Sequence, residues 1–83
     1  VRFEPGRLWT SSTSKARYPL SWTVQTPAGR WQVEALLEAQ ELDSRQSTGT
    51  VYWEGLSALR DADGRQVGLG YLEMTGYAGR LAL

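Results

Sequence analysis

Apolar and polar residues alternate along much of this chain, and in two places the alternation continues on both sides of a turn signal. In "PLSWTVQTPAGRWQVEALL" a two-residue turn at Ala28-Gly29 sets Leu20, Trp22 and Val24 opposite Leu37, Ala35 and Val33, all on one face. The other face then carries Ser21, Thr23 and Gln25 opposite Leu36, Glu34 and Gln32, where only Leu36 breaks the polar pattern. The segment "VEALLEAQEL" is rich in good helix formers, so a helix over residues 33–42 competes with the strand. We let the pairing pattern decide. "DSRQSTG" reads as a polar loop between hairpins, and a short strand is expected around Leu8–Thr10.

A second hairpin follows in "TVYWEGLSALRDADGRQVGLGYLEMTGY". If Asp63-Gly64 forms a type I′ turn, Tyr52 opposes Thr75, Glu54 opposes Glu73 and Leu56 opposes Tyr71. Trp53 then meets Met74 on the other face, with Gly55 against Leu72 and Leu59 against Gly68. A three-residue loop with a bulge would shift the pairing by one and separate the two glutamates. Like charges facing each other across a ladder weaken a sheet, so the opposed register asks what the carboxylates bind or exchange.

The pattern therefore predicts an all-β antiparallel meander. About five strands with two apolar faces cannot complete a sandwich alone, and open edges are a liability. The sheet is expected to curl into part of a barrel or to pair with a second copy, making a homodimer through an open edge. Residues 1–83 form one domain or a fragment of one, and a chain this short buries only about 60% of its unfolded surface.

Composition narrows the chemistry. Nine basic and nine acidic residues cancel, so no broad field attracts nucleic acid. Cysteine and histidine are both absent, which removes disulfides, thiolate metal sites, cysteine nucleophiles and Ser-His-Asp triads. No metal site or cofactor is expected. Four Trp and four Tyr favour strands and apolar pockets. Ser11, Ser12, Thr13 and Ser14 cluster without a general base in view, and Gly68, Gly70 and Gly76 lack the helix start a phosphate loop needs.

"YWEG" followed by "GRQVGLGYLEMTGY" resembles the C-terminal signature of the lipocalin-like carotenoid 1,2-hydratase family, also described as AttH-like proteins or predicted secreted hydrolases. Trp9, Ser11, Tyr18, Pro19 and Trp22 are similar to that family's Trp-x-Ser, Tyr-Pro and Trp stretch. Gln40, Glu41 and Leu42 resemble its "DQEL", with Ala39 in place of the aspartate. The resemblance implies two lipocalin-like barrels in a much longer chain, with this segment as the C-terminal half of the second barrel and an N-terminal portion missing. It also implies a periplasmic or secreted location and an apolar, isoprenoid or lipid-like ligand.

In that family the defined reaction adds water to a terminal carbon–carbon double bond of an acyclic carotenoid, which requires a strong acid and a captured water. Glu54 and Glu73 are the carboxylate pair the sequence offers for acid and base, since two like charges at close range cannot both ionise cheaply. Tyr52, Tyr71 and Trp53 are the candidate ligand-binding residues, although on a strict pleat Trp53 points away from Glu54. Two other readings stand beside this one. The first is a non-catalytic module that holds a hydrophobic ligand. The second is a structural segment whose glutamates pair with Arg60, Arg65 or Arg80, or with tyrosine hydroxyls.

Overall fold

The structure is a computed structural model that describes residues 1–47 and 49–77. Eight strands and no helix are present among them: β1 (Arg2–Pro5), β2 (Leu8–Thr10), β3 (Arg17–Pro19), β4 (Ser21–Thr26), β5 (Gly29–Ala35), β6 (Glu41–Ser44), β7 (Thr50–Arg60) and β8 (Gln66–Thr75). Six form one antiparallel sheet, and β2–β3 make a separate two-stranded ribbon. In the large sheet the order is β1-β4-β5-β7, with β8 on the far side of β7. Strands β5 and β6 lie along the same edge of β7, pairing with its two halves. They act as one strand interrupted by a loop over 36–40, so β4, β5/β6, β7 and β8 form the expected meander.

The competing helix over 33–42 does not form. The strand through Ala35 places Val33 and Ala35 on the apolar face, and burying Ala35 and part of Val33 outweighs the helix propensity of the stretch. The first hairpin differs from expectation in register. Thr26 pairs with Gly29, Val24 with Trp31 and Trp22 with Val33, so the turn is Pro27-Ala28 and Ala28-Gly29 is not. Pro27 presets the φ that the first central position of an ordinary turn requires, whereas a type I′ turn would force Ala28 to positive φ. The Thr26 hydroxyl accepts from the Ala28 amide at 3.1 Å and donates to the Gly29 carbonyl at 3.3 Å. The shift is two residues, which leaves every side chain on its predicted face. Its cost falls on Leu37, which loses its place opposite Leu20 and lies exposed beyond the strand end; the Ala35 amide meets the Leu20 carbonyl instead.

The second hairpin has the expected register through a different turn. Tyr52↔Thr75, Glu54↔Glu73 and Leu56↔Tyr71 all pair as predicted. The connection is not a two-residue type I′ turn. The Gly64 amide bonds the Asp61 carbonyl, Asp61 pairs with Arg65, and Gly64 has φ 84°, which a side chain would strain. This longer loop alone would shift the ladder by one. A bulge between Leu59 and Arg60 on β7, opposite Gly68 and Gln66, removes the shift, with Val67 as the extra residue.

The sheet curls into a half-barrel with one apolar concave face. The radius of gyration is 14.0 Å, against about 12 Å for a compact globule of this length. The β2–β3 ribbon folds over one end of the concave face. There Ala16, Tyr18 and Leu20 pack with Ala35, Trp53 and Met74, flanked by Trp9, Trp22 and Leu72. Hydrogen bonds from Leu20 N to Arg7 O (2.7 Å) and from Gly6 N to Ser21 O (2.8 Å) tie the ribbon to the sheet. No candidate membrane-spanning helix is present among the described residues.

Candidate functional site

Where the ribbon stops, the concave face opens into a groove of about 510 Å³. Phe3 of β1, Trp22 and Val24 of β4, Val33 of β5, and Leu72 and Met74 of β8 line it, and Glu73, Thr75 and Tyr77 border it. The apolar positions converge because β1 pairs Phe3 with Val24 and Pro5 with Trp22, which continues the alternation one strand beyond what the sequence predicted. The Trp22 Nε1–H is buried without a hydrogen-bond partner among the described residues, an arrangement that costs about 1–3 kcal/mol until an acceptor is supplied.

The five residues expected to form a site do not share one cavity. Glu54 and Glu73 are direct cross-strand partners, and Tyr52 and Tyr71 lie on their face, each beside one of them along the ladder. That face is the convex one, and Tyr71 is 67% exposed on it. Of the five, only Glu73 touches the groove, at its β8 border. Trp53 faces the opposite way and is fully buried, with its Nε1–H donating to the Glu38 carbonyl at 2.7 Å. Arg60 ion-pairs with Glu34 at 3.4 Å rather than with either glutamate. Among the described residues neither Glu54 nor Glu73 has an ion-pair partner, and Arg80 lies outside those residues.

A different carboxylate is the better-built polar centre. Glu41, the first residue of β6, projects toward the loop between β2 and β3 and accepts three hydroxyl hydrogen bonds. Ser11 donates to Oε1 at 2.6 Å, and Ser14 and Tyr18 donate to Oε2 at 2.5 and 2.7 Å. Burial pushes the Glu41 carboxyl up, but the bonds from Ser11, Ser14 and Tyr18 outweigh it and hold the group below its usual range. Tyr18 moves the other way: burial, then its bond to Glu41 and the charge of Glu41, push the phenol well above its ordinary value. Tyr18 also stacks on Trp9, with ring centroids 6.1 Å apart, and meets Tyr77 in a tilted contact at 5.6 Å. The aromatic series runs from the Glu41 centre to the groove border.

The hydroxyl cluster therefore has a carboxylate after all, which corrects the expectation that no base stood near it. It is still not arranged as a nucleophile. The Ser11 oxygen donates to Glu41 while accepting from the Thr13 and Ser14 amides, both at 3.1 Å, and the residue is 2% exposed. Glu41 lies 23 to 30 residues from its donors, so no spacing rule could assemble the centre. The available signals were the resemblance of "AQEL" to a family motif and the unexplained run of hydroxyls at 11–14.

The family profile for AttH-like proteins matches residues 1–77. No curated protein matches the sequence. The crystal structure of a candidate AttH from Nitrosomonas europaea superposes with a TM-score of 0.85 at 45% identity, over 94% of this chain and 24% of the other. The chain thus spans about a quarter of the length of that relative.

Proposed function

Because the chain belongs to the AttH-like family, we propose that it forms part of a lipocalin-like barrel that holds an apolar, isoprenoid- or lipid-like molecule against its concave face. The groove of about 510 Å³ lined by Phe3, Trp22, Val24, Val33, Leu72 and Met74 carries this reading. Its size is in the range of small-molecule sites, and its lining removes apolar ligand surface from water. A span of about a quarter of the solved relative fits half of one barrel in a two-barrel chain.

The finer reading is water addition to a carbon–carbon double bond, by resemblance to the carotenoid 1,2-hydratases. A carboxylic acid would protonate carbon, water would capture the cation, and the hydrated product would return the proton to the carboxylate. Glu73 is the carboxyl group bordering the groove, and Glu54 is its direct cross-strand partner. Tyr52 and Tyr71 flank the pair on the convex face, so they would orient the glutamates rather than contact a groove-bound ligand. Trp53 supports the floor from within the core.

Titration with cis-parinaric acid, a fluorescent polyene fatty acid, tests the binding reading. Val24→Lys or Val33→Lys should weaken its affinity at least tenfold, while Leu69→Lys on the convex face should leave it unchanged. Equal affinity in all the variants would overturn the reading.

A further inference from the structure

Beside the Glu41 centre is a second, smaller cavity of about 150 Å³, lined by Trp9, Ser11, Ser12, Thr13, Ala39 and Glu41. We propose that this cavity is a binding site for a small primary ammonium group, held by the Glu41 carboxylate and the Ser12 and Thr13 hydroxyls against the Trp9 indole.

The charge balance is the first support. Ser11, Ser14 and Tyr18 satisfy hydrogen bonds of Glu41 but are neutral, so the part-buried carboxylate keeps its full negative charge. Among the described residues no basic side chain forms an ion pair with it. The cation nearest in effect, Arg45, is held on Asp43 by bonds of 2.7 and 3.0 Å. The carboxylate therefore carries a negative charge with no cationic partner, which a cationic ligand would supply.

Hydrogen-bond capacity points the same way. Oε1 accepts only from Ser11, whereas Oε2 accepts from both Ser14 and Tyr18, so Oε1 has a lone pair left for one more donor. Ser12 and Thr13 line the cavity, and neither hydroxyl has a hydrogen bond among the described residues. One carboxylate oxygen and two hydroxyl oxygens match the three N–H donors of an ammonium. The indole is the aromatic ring that best accommodates a cation. An anion is excluded by Glu41, and a whole lipid by volume, since drug-sized pockets begin near about 300 Å³.

The test is a titration of the ¹⁵N-labelled protein with methylammonium chloride, followed through backbone amide shifts. Saturable shifts confined to Ser12, Thr13, Ala39 and Glu41 are expected, and neither sodium chloride at matched ionic strength nor ethanol should reproduce them. Ser12→Ala combined with Thr13→Ala should weaken binding about tenfold. Glu41→Gln should abolish it, but it also removes a tie to the ribbon, so Thr13→Lys supplies an independent check. A tethered ammonium in the cavity should block methylammonium and raise Tm. Shifts that never saturate, or that sodium chloride or ethanol reproduces, would overturn the proposal, as would full methylammonium binding by Thr13→Lys.

Discussion

Trp53 and Gly55 illustrate how two residues on one face of a strand can depend on each other. The Trp53 indole lies across Gly55, so a Cβ added at Gly55 would come within 2.9 Å of the ring and 3.2 Å of the Gln40 side chain. The ring has no room to yield, being fully buried and tied to the Glu38 carbonyl. Gly55→Ala should therefore destabilise the fold by about 1–3 kcal/mol, measured by urea denaturation, and an unchanged midpoint would refute the close fit. The "YWEG" stretch marked this neighbourhood in the sequence, and the pleat alone already set Trp53 apart from Glu54. Curvature was not legible. Alternation gives two faces, but only the sense of the curl makes the Trp53 face concave and leaves Glu54, Tyr52 and Tyr71 outside.

Elements show which sequence signals carry register and which carry only face. The two-residue shift of the first hairpin preserves every inside–outside assignment, so alternation could not detect it; the preset φ of Pro27 was the signal that could. In the second hairpin the loop and the bulge each change the register by one and cancel, so the predicted pairs were right although the turn was not. The ribbon's attachment to the sheet was illegible because Glu41 and its donors are distant in sequence.

That attachment sets a pH dependence. The folded Glu41 carboxyl sits below its ordinary 4.5, so its contribution is present above about pH 4.5 and lost as pH falls through the folded value. Tyr18 is raised above 10.0, so its contribution is present below about pH 10 and lost as pH rises through the folded value. Urea unfolding across pH should show an acid decline that Glu41→Gln flattens. An equally steep decline in that variant would place the acid sensitivity elsewhere.

The whole molecule is a curved sheet with its apolar face half covered. The ribbon seals the end around Trp53, while Phe3, at 64% exposure, and the rest of the groove lining remain accessible. The outer edge of β8 has no strand partner among the described residues, and unpaired edges recruit other strands. The isolated 83-residue chain should therefore self-associate through β8. Sedimentation should show a concentration-dependent dimer that Leu69→Pro, at a residue opposite Ala58 whose N–H faces the open edge, abolishes, and a monomer at all concentrations would contradict this. The incomplete sheet was legible in the sequence, because the alternation supplied two faces but too few strands to close them.

The proposed binding of ligand on the concave face can be read from intermolecular NOEs between cis-parinaric acid and the methyl groups of the folded protein. Contacts to Val24, Val33, Leu72 and Met74 are expected, and none to Leu56 or Leu69. Contacts confined to Leu56 and Leu69, on the face shared by Tyr71 and the two paired glutamates, would contradict it and move the binding surface to the convex side.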